Sequence, residues 1–382
     1  MAGLRVNAVW GLGLVLFGCP GKEHACEVAD DEPAVLYPEA LYPDAVYFGD
    51  EVDEFAGATV SSEGDINGDG FADVLVDAYH HRGAQVVVAF FYGSPHPESR
   101  AMGEADVSFS DSEALSGVKS SAAYVGDVNG DGVDDALVGL YFQGATLILG
   151  SANLGDLGFG GDAPVFTADY LVSVSGAGDM TGDGLPDMLV AASDVYLVPG
   201  GEHLGQAALN DGAIQMASEP GFQLSRQSLA GPGDVDGDGL ADAMMSAYDT
   251  VGGLMAGYSY LVLGDDRLAE VSLTDADVRI ATTAGMLVCA TSAGDVNADG
   301  HADILIASDG LYLFLGAQAP DWRALDQADS AVPEFDRSGC ALGVGDVDGD
   351  GFDDVAVSGG GTRRGWPTVR PAESIWNGGA GR

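Results

Sequence analysis

Six nine-residue segments hold the side chains whose chemistry is easiest to read. They spell DINGDGFAD from Asp65, DVNGDGVDD from Asp127, DMTGDGLPD from Asp179, DVDGDGLAD from Asp234, DVNADGHAD from Asp295 and DVDGDGFDD from Asp346. Positions 1, 3, 5 and 9 each carry a side-chain oxygen. These are Asp65, Asn67, Asp69 and Asp73 in the first copy, and Asp127, Asn129, Asp131 and Asp135 in the second. The third has Asp179, Thr181, Asp183 and Asp187, and the fourth Asp234, Asp236, Asp238 and Asp242. Asp295, Asn297, Asp299 and Asp303 follow in the fifth, and Asp346, Asp348, Asp350 and Asp354 in the sixth. Position 7 would add a backbone carbonyl, from Phe71, Val133, Leu185, Leu240, His301 and Phe352 in turn. Hard oxygens crowded into one tight turn suit Ca²⁺ at about 2.3–2.6 Å; Mg²⁺ gives up water reluctantly and demands stricter octahedral geometry. Position 6 is glycine in every copy, as a turn with φ > 0 requires. A single copy would pass as a surface Asx turn, but six with one oxygen pattern predict about six Ca²⁺ sites.

The residues after each loop say what must position it. An EF-hand would place glutamate at position 12 between helices. Here position 12 is Val76, Val138, Val190, Met245, Ile306 and Val357, all apolar. The loops start 51 to 62 residues apart, a period expected of stacked or radially arranged supersecondary units. Apolar runs such as Val74 to Val76 and Ile304 to Ile306 follow each loop. Five units continue with a second run ending at glycine: Gln85 to Gly93, Ala145 to Gly150, Val195 to Gly200, Tyr258 to Gly264 and Leu311 to Gly316. Short, glycine-bounded and apolar on both faces, these runs read as buried strands, and no helical period competes with them. The expected class is all-β.

The units resemble the FG-GAP repeats of integrin α-subunit β-propellers and their bacterial relatives. Phe55-Ala56-Gly57 followed by Gly64-Asp65 carries the approach, and Gly126-Asp127, Gly178-Asp179, Gly233-Asp234, Gly294-Asp295 and Gly345-Asp346 repeat the junction. The resemblance spans about residues 48 to 358. It implies a propeller in which each Ca²⁺ loop joins the first two strands of a blade, on the face opposite the usual ligand surface. Six units are counted, and six or seven blades, in a closed or an incomplete ring, both fit. Ala45 to Phe48 is a candidate for a strand that closes the ring.

With 60 acidic and 14 basic side chains the formal charge is −46, which excludes a nucleic-acid binder. Residues 1–18, with one cation (Arg5) and an apolar stretch from Val9 to Phe17, fit a secretory signal. Leu16, Gly18 and Cys19 resemble a bacterial lipobox, in which Cys19 would be lipidated; ordinary cleavage, with Cys19 free to pair with Cys26, is the alternative. The chain is therefore expected to be secreted, at a bacterial outer membrane or cell surface as a lipoprotein, with membrane contact only through that anchor. Residues 19–40 read as a tether, 41–358 as the propeller and 359–382 as a divergent tail. Six residues before each loop stand Thr59, Ser121, Ser173, Ser228, Cys289 and Cys340, small side chains suited to a crowded inner strand. Cys289 and Cys340 are expected as two buried thiols, because blade separation could exceed the roughly 7 Å reach of a disulfide; a disulfide between them is the alternative.

No serine-hydrolase, zinc-protease, P-loop or CxxC motif occurs. The chain is expected to be a non-enzymatic envelope protein whose face binds an unknown protein or glycan. A polysaccharide lyase and a purely structural envelope protein are the alternatives; so few cations speak against an acidic-polymer substrate. Loops such as Pro95 to Asp106, Asn153 to Pro164 and Gly200 to Gly212 are where specificity is expected.

Overall fold

A computed structural model describes residues 5–9, 13–17, 43–48, 54–80, 86–111, 120–140, 144–154, 157–158, 165–167, 171, 173–201, 204, 207–208, 212–249, 257–282, 289–332, 341–343, 345–346, 351–357 and 368–370. Among them, strands account for nearly all regular structure. The exceptions are three single 3₁₀ turns, Met102–Glu104, Leu273–Asp275 and Leu325–Gln327.

Each sequence unit is one antiparallel sheet whose strands lie in chain order. The first unit comprises Glu54–Gly64, Asp73–His80, Val86–Phe91 and Val107–Asp111. The second comprises Ser120–Gly126, Asp135–Leu140, Gly144–Ile148 and Val165–Thr167. Ser173–Gly178, Asp187–Ala191, Val195–Val198 and Ile214–Ala217 form the third. Phe222–Gly233, Asp242–Asp249, Gly257–Val262 and Val278–Thr282 form the fourth. The fifth is Cys289–Gly294, Asp303–Ala307, Leu311–Phe314 and Ser330–Val332. The sixth runs Ala341–Gly343, Val355–Val357 and Thr368–Arg370, so pairing continues into the segment expected to be tail. A further sheet pairs Arg5–Val9 with Gly13–Phe17, and Gly13–Phe17 with Pro43–Phe48. Much of the apolar run of the expected signal thus lies in a paired strand.

The first strands of consecutive units lie side by side, and the sheets stack face to face. Side chains alternate across a strand, so a second strand flanked by two sheets must be apolar on both faces. Met245 faces Leu197 and Met216 of the third sheet, whereas Met244 beside it faces Ile304 and Phe314 of the fifth. Asp135–Leu140 and Asp303–Ala307 are buried at every position, which explains why their sequences carry no period-2 alternation. Burying each large apolar side chain contributes roughly 1.5–3 kcal/mol. This all-β array of radially related sheets is the β-propeller architecture.

One element was not foreseen. The connection from third to fourth strand carries a two-residue strand that pairs in parallel with the last strand of the preceding sheet. Leu157–Gly158 joins Val107–Asp111, Ala207–Ala208 joins Val165–Thr167, and Val271–Ser272 joins Ile214–Ala217. Arg100–Ala101 makes the same pairing with Pro43–Phe48. Pro43–Phe48, which contains the candidate closing strand Ala45 to Phe48, therefore sits where the outer strand of a sheet preceding the first unit would lie. The loops expected to hold specificity contain three of these straps, and their strands are committed to joining neighbouring sheets.

Candidate metal centres

Each loop sits between the first and second strands of its sheet, as expected. In the first loop, Asp65 Oδ1 accepts the amide of Asp69 at 3.0 Å and Oδ2 that of Gly70 at 2.7 Å. Asn67 Oδ1 also accepts from Asp69 N at 2.8 Å, and Asp69 Oδ1 accepts from Phe71 N at 2.9 Å. The second and fifth loops repeat this scheme through Asp127, Asn129 and Asp131 and through Asp295, Asn297 and Asp299. The fourth uses Asp234, Asp236 and Asp238 in the same way. Asp346 holds Gly351 N at 2.9 Å in the sixth, whose Asp348 and Asp350 lie outside the described residues, as does Cys19. Positions 4 and 6 take positive φ, for example Gly68 at 72° and Gly70 at 88°. In the fifth loop Ala298 occupies position 4 with φ 56°, a conformation that costs a side-chain-bearing residue roughly 1 kcal/mol.

The third loop departs from the pattern. Asp179 still accepts from Gly184 at 2.9 Å, but its other oxygen takes the Gly182 amide at 2.7 Å without that of Asp183, and the Thr181 hydroxyl turns to Asp187 at 3.5 Å.

Position 9 has a second task. Asp73, Asp135, Asp187, Asp242 and Asp303 are fully buried. One oxygen of each accepts the position 2 amide: Ile66, Val128, Met180, Val235 and Val296 at 2.7–3.1 Å. The other accepts from the glycine that ends the third strand: Gly93, Gly150, Gly200, Gly264 and Gly316 at 2.7–3.0 Å. Glycine is required there. A Cβ on Gly264 would stand 2.4 Å from the Ala241 carbonyl oxygen, and one on Gly316 2.5 Å from that of Ala302. The Gly-Asp junction has a similar cause, since Gly126 (φ 78°) lies against Pro186 of the next loop.

Burial pushes the position 9 carboxyls up, to about 6 for Asp73 and about 7 for Asp135, Asp242 and Asp303, and raises Asp187 as well. Their amide bonds oppose this, and neighbouring loop aspartates add to it. The charges acting on these groups are therefore of like sign. Each carboxylate has about four lone-pair directions, and two amides leave room for a cation. In the fourth loop, oxygens of Asp234, Asp236 and Asp242 all lie within 4.8 Å of one another. With one carboxylate buried and its neighbours half-buried, mutually repelling and oxygen-only, this donor set fits a hard divalent cation. The residues that would hold it are those at positions 1, 3, 5 and 9, with the position 7 carbonyl.

Sequence reasoning missed Asp106, Asp277 and Asp329, which precede the fourth strands and accept the amides of Tyr92, Leu263 and Leu315 at 2.8–3.0 Å. The repeated Ala-Asp pairs Ala105-Asp106, Ala276-Asp277 and Ala328-Asp329 would have signalled them. The two buried thiols also need correction: Cys289 is disulfide-bonded. Ser121 and Ser173, at the matching position of adjacent sheets, bring their Oγ atoms to 3.4 Å, so cysteines at such positions are within bonding reach. Cys340, the matching residue of the next unit, lies outside the described residues.

No curated protein matches the chain. Residues 295–357, running from the fifth loop through the second strand of the sixth sheet, match the FG-GAP-like repeat family. The match makes residues 295–357 similar to an FG-GAP-like repeat, and the same loop, strand pair and glycine closure recur in the units before it.

Proposed function

We propose that the chain is a secreted, non-enzymatic propeller stabilised by about six Ca²⁺ ions, held at a bacterial envelope through lipidated Cys19, and that it presents a face for a protein or glycan. The observation that carries this reading is the repeated loop with its buried position 9 carboxylate, pushed up by burial and by the loop's own aspartates. Sites repeated once per sheet act as scaffold, and a loop that already supplies five oxygens leaves little open coordination for catalysis.

The binding surface is assigned to the end of the sheets opposite the loops. There the described connections are short, such as Ala192 to Asp194 and Ser308 to Gly310, each closed by a backbone bond of 2.8 Å. In the connection between the third and fourth sheets Glu219 pairs with Arg279 at 2.8 Å and accepts from Tyr260 Oη at 2.9 Å. The Arg279 guanidinium stacks 3.6 Å over Tyr258, giving this end a rigid aromatic and charged feature.

The test is a glycan array together with pull-downs from envelope extracts, using the calcium-loaded chain. Binding without turnover is expected, and release of unsaturated oligosaccharide would overturn the non-enzymatic reading. Cys19→Ala should move the protein from the membrane to the soluble fraction.

A further inference from the structure

We infer that the calcium loops are coupled to one another in series, and that the series is weakest at Pro186. The inference rests on the calcium reading above.

Two routes of backbone bonding cross the junctions between consecutive loops. In the first, the position 8 amide of one loop donates to the position 1 carbonyl of the loop before it. Asp134 N reaches Asp65 O at 3.2 Å, Ala241 N reaches Asp179 O at 2.9 Å, Ala302 N reaches Asp234 O at 2.8 Å and Asp353 N reaches Asp295 O at 3.1 Å. Position 8 lies between two expected ligands, the position 7 carbonyl and the position 9 carboxylate. Its acceptor belongs to a ligand residue of the neighbour. An ion that orders one loop therefore orders the ligand backbone of the preceding one.

In the second route, the position 9 carboxylate holds the glycine ending the third strand, and the next residue bonds back to the neighbour's position 2 carbonyl. Ser151 N meets Ile66 O and Gly201 N meets Val128 O, both at 2.8 Å; Asp265 N meets Met180 O at 3.0 Å and Ala317 N meets Val235 O at 2.9 Å. The position 2 amides are those held by the position 9 carboxylates of their own loops.

The second and third loops are the exception. Position 8 of the third loop is Pro186, which has no amide to give the Asp127 carbonyl. Only Gly201 N to Val128 O spans that junction among the described residues. By the first route the loops therefore divide into a block of two and a block of four; between the fifth and sixth loops that route is doubled by Asp295 N donating to Asp353 Oδ2 at 2.8 Å, whereas no position 8 bond of either kind crosses from the third loop to the second among the described residues. Coupling between sites typically changes affinity about 5- to 150-fold, enough to steepen a titration visibly.

The test is a titration of the EDTA-stripped full chain with Ca²⁺ alone, followed by calorimetry and by intrinsic fluorescence. The wild type should show a Hill coefficient above 1. Ala302→Pro removes the first route between the fourth and fifth loops, at a position where proline already stands in the third loop, and should lower that coefficient. Pro186→Ala restores the missing donor and should raise it. Circular dichroism at saturating Ca²⁺ checks folding, and Pro186→Ala keeps the test decisive if Ala302→Pro fails to fold. Ca²⁺ binding at independent sites in the wild type, or both variants overlaying the wild type, would overturn the coupling. An absence of any Ca²⁺ binding would remove the calcium reading, and the coupling with it.

Discussion

Gly316 donates its backbone amide to the buried carboxylate of Asp303 at 2.8 Å, and this bond ties the fifth aspartate-rich loop to the far end of the third strand. The same carboxylate holds Val296 N at 2.9 Å. Position 9 is thus an expected ligand and also the residue that fixes the loop in its sheet.

Asp303→Ala should therefore destabilise the protein even without calcium. Two buried amides would lose a charged acceptor, at about 1–3 kcal/mol each. Asp303→Asn, which keeps one acceptor oxygen, should cost less. Urea unfolding in EDTA measures both; equal stability of wild type and Asp303→Ala would refute this role.

The loop glycines separate into two kinds. Gly316→Ala forces a Cβ against the Ala302 carbonyl oxygen at 2.5 Å and His301 Cβ at 2.6 Å, and should cost about 1–3 kcal/mol by overpacking. Gly239→Ala meets nothing within 4 Å but sits at φ +96°, so only backbone strain of about 1–2 kcal/mol opposes it. Midpoints of denaturant unfolding should rank the two in that order.

How far the site could be read from the sequence depended on where its partners lie. The side-chain oxygens at positions 1, 3, 5 and 9 were legible because loop chemistry is local, and the strands because apolar runs flank each loop. Asp303's bond to Gly316 was not, because the partner lies 13 residues on and carries no side chain. Straps such as Ala207–Ala208 escaped because two residues show no period. The state of Cys289 depended on inner-strand spacing, which only the Ser121–Ser173 approach at 3.4 Å reveals.

Without metal, stability should fall as pH rises. Asp135, Asp242 and Asp303 are pushed up to about 7 in the fold, above the ordinary carboxyl value of 3.8. The folded state therefore binds protons more tightly than the unfolded chain. Their contribution is fully present below about pH 4 and lost as pH rises through about 7. In EDTA, thermal unfolding at pH 5 should exceed that at pH 8, and saturating Ca²⁺ should flatten the difference by replacing the protons. A rise in metal-free stability with pH across that window would contradict this.

The third loop should bind most weakly, since Thr181 turns its hydroxyl to Asp187, whereas Asn67, Asn129, Asp236 and Asn297 turn an acceptor oxygen into their loops. Thr181→Asp should tighten that site severalfold. Terbium luminescence in competition with Ca²⁺ would show it as the loss of the weakest phase, and an unchanged isotherm would refute the ranking.

The most direct measurement compares the melting temperature of the purified chain in 1 mM Ca²⁺ and in EDTA. For sites of about 0.1–1 mM affinity, linkage gives roughly 0.4–1.4 kcal/mol each, or about 2–8 kcal/mol over six. A melting point lower by several degrees in EDTA and restored by Ca²⁺ but not by equimolar Mg²⁺ is the predicted result. Identical melting curves in the two conditions would contradict the account.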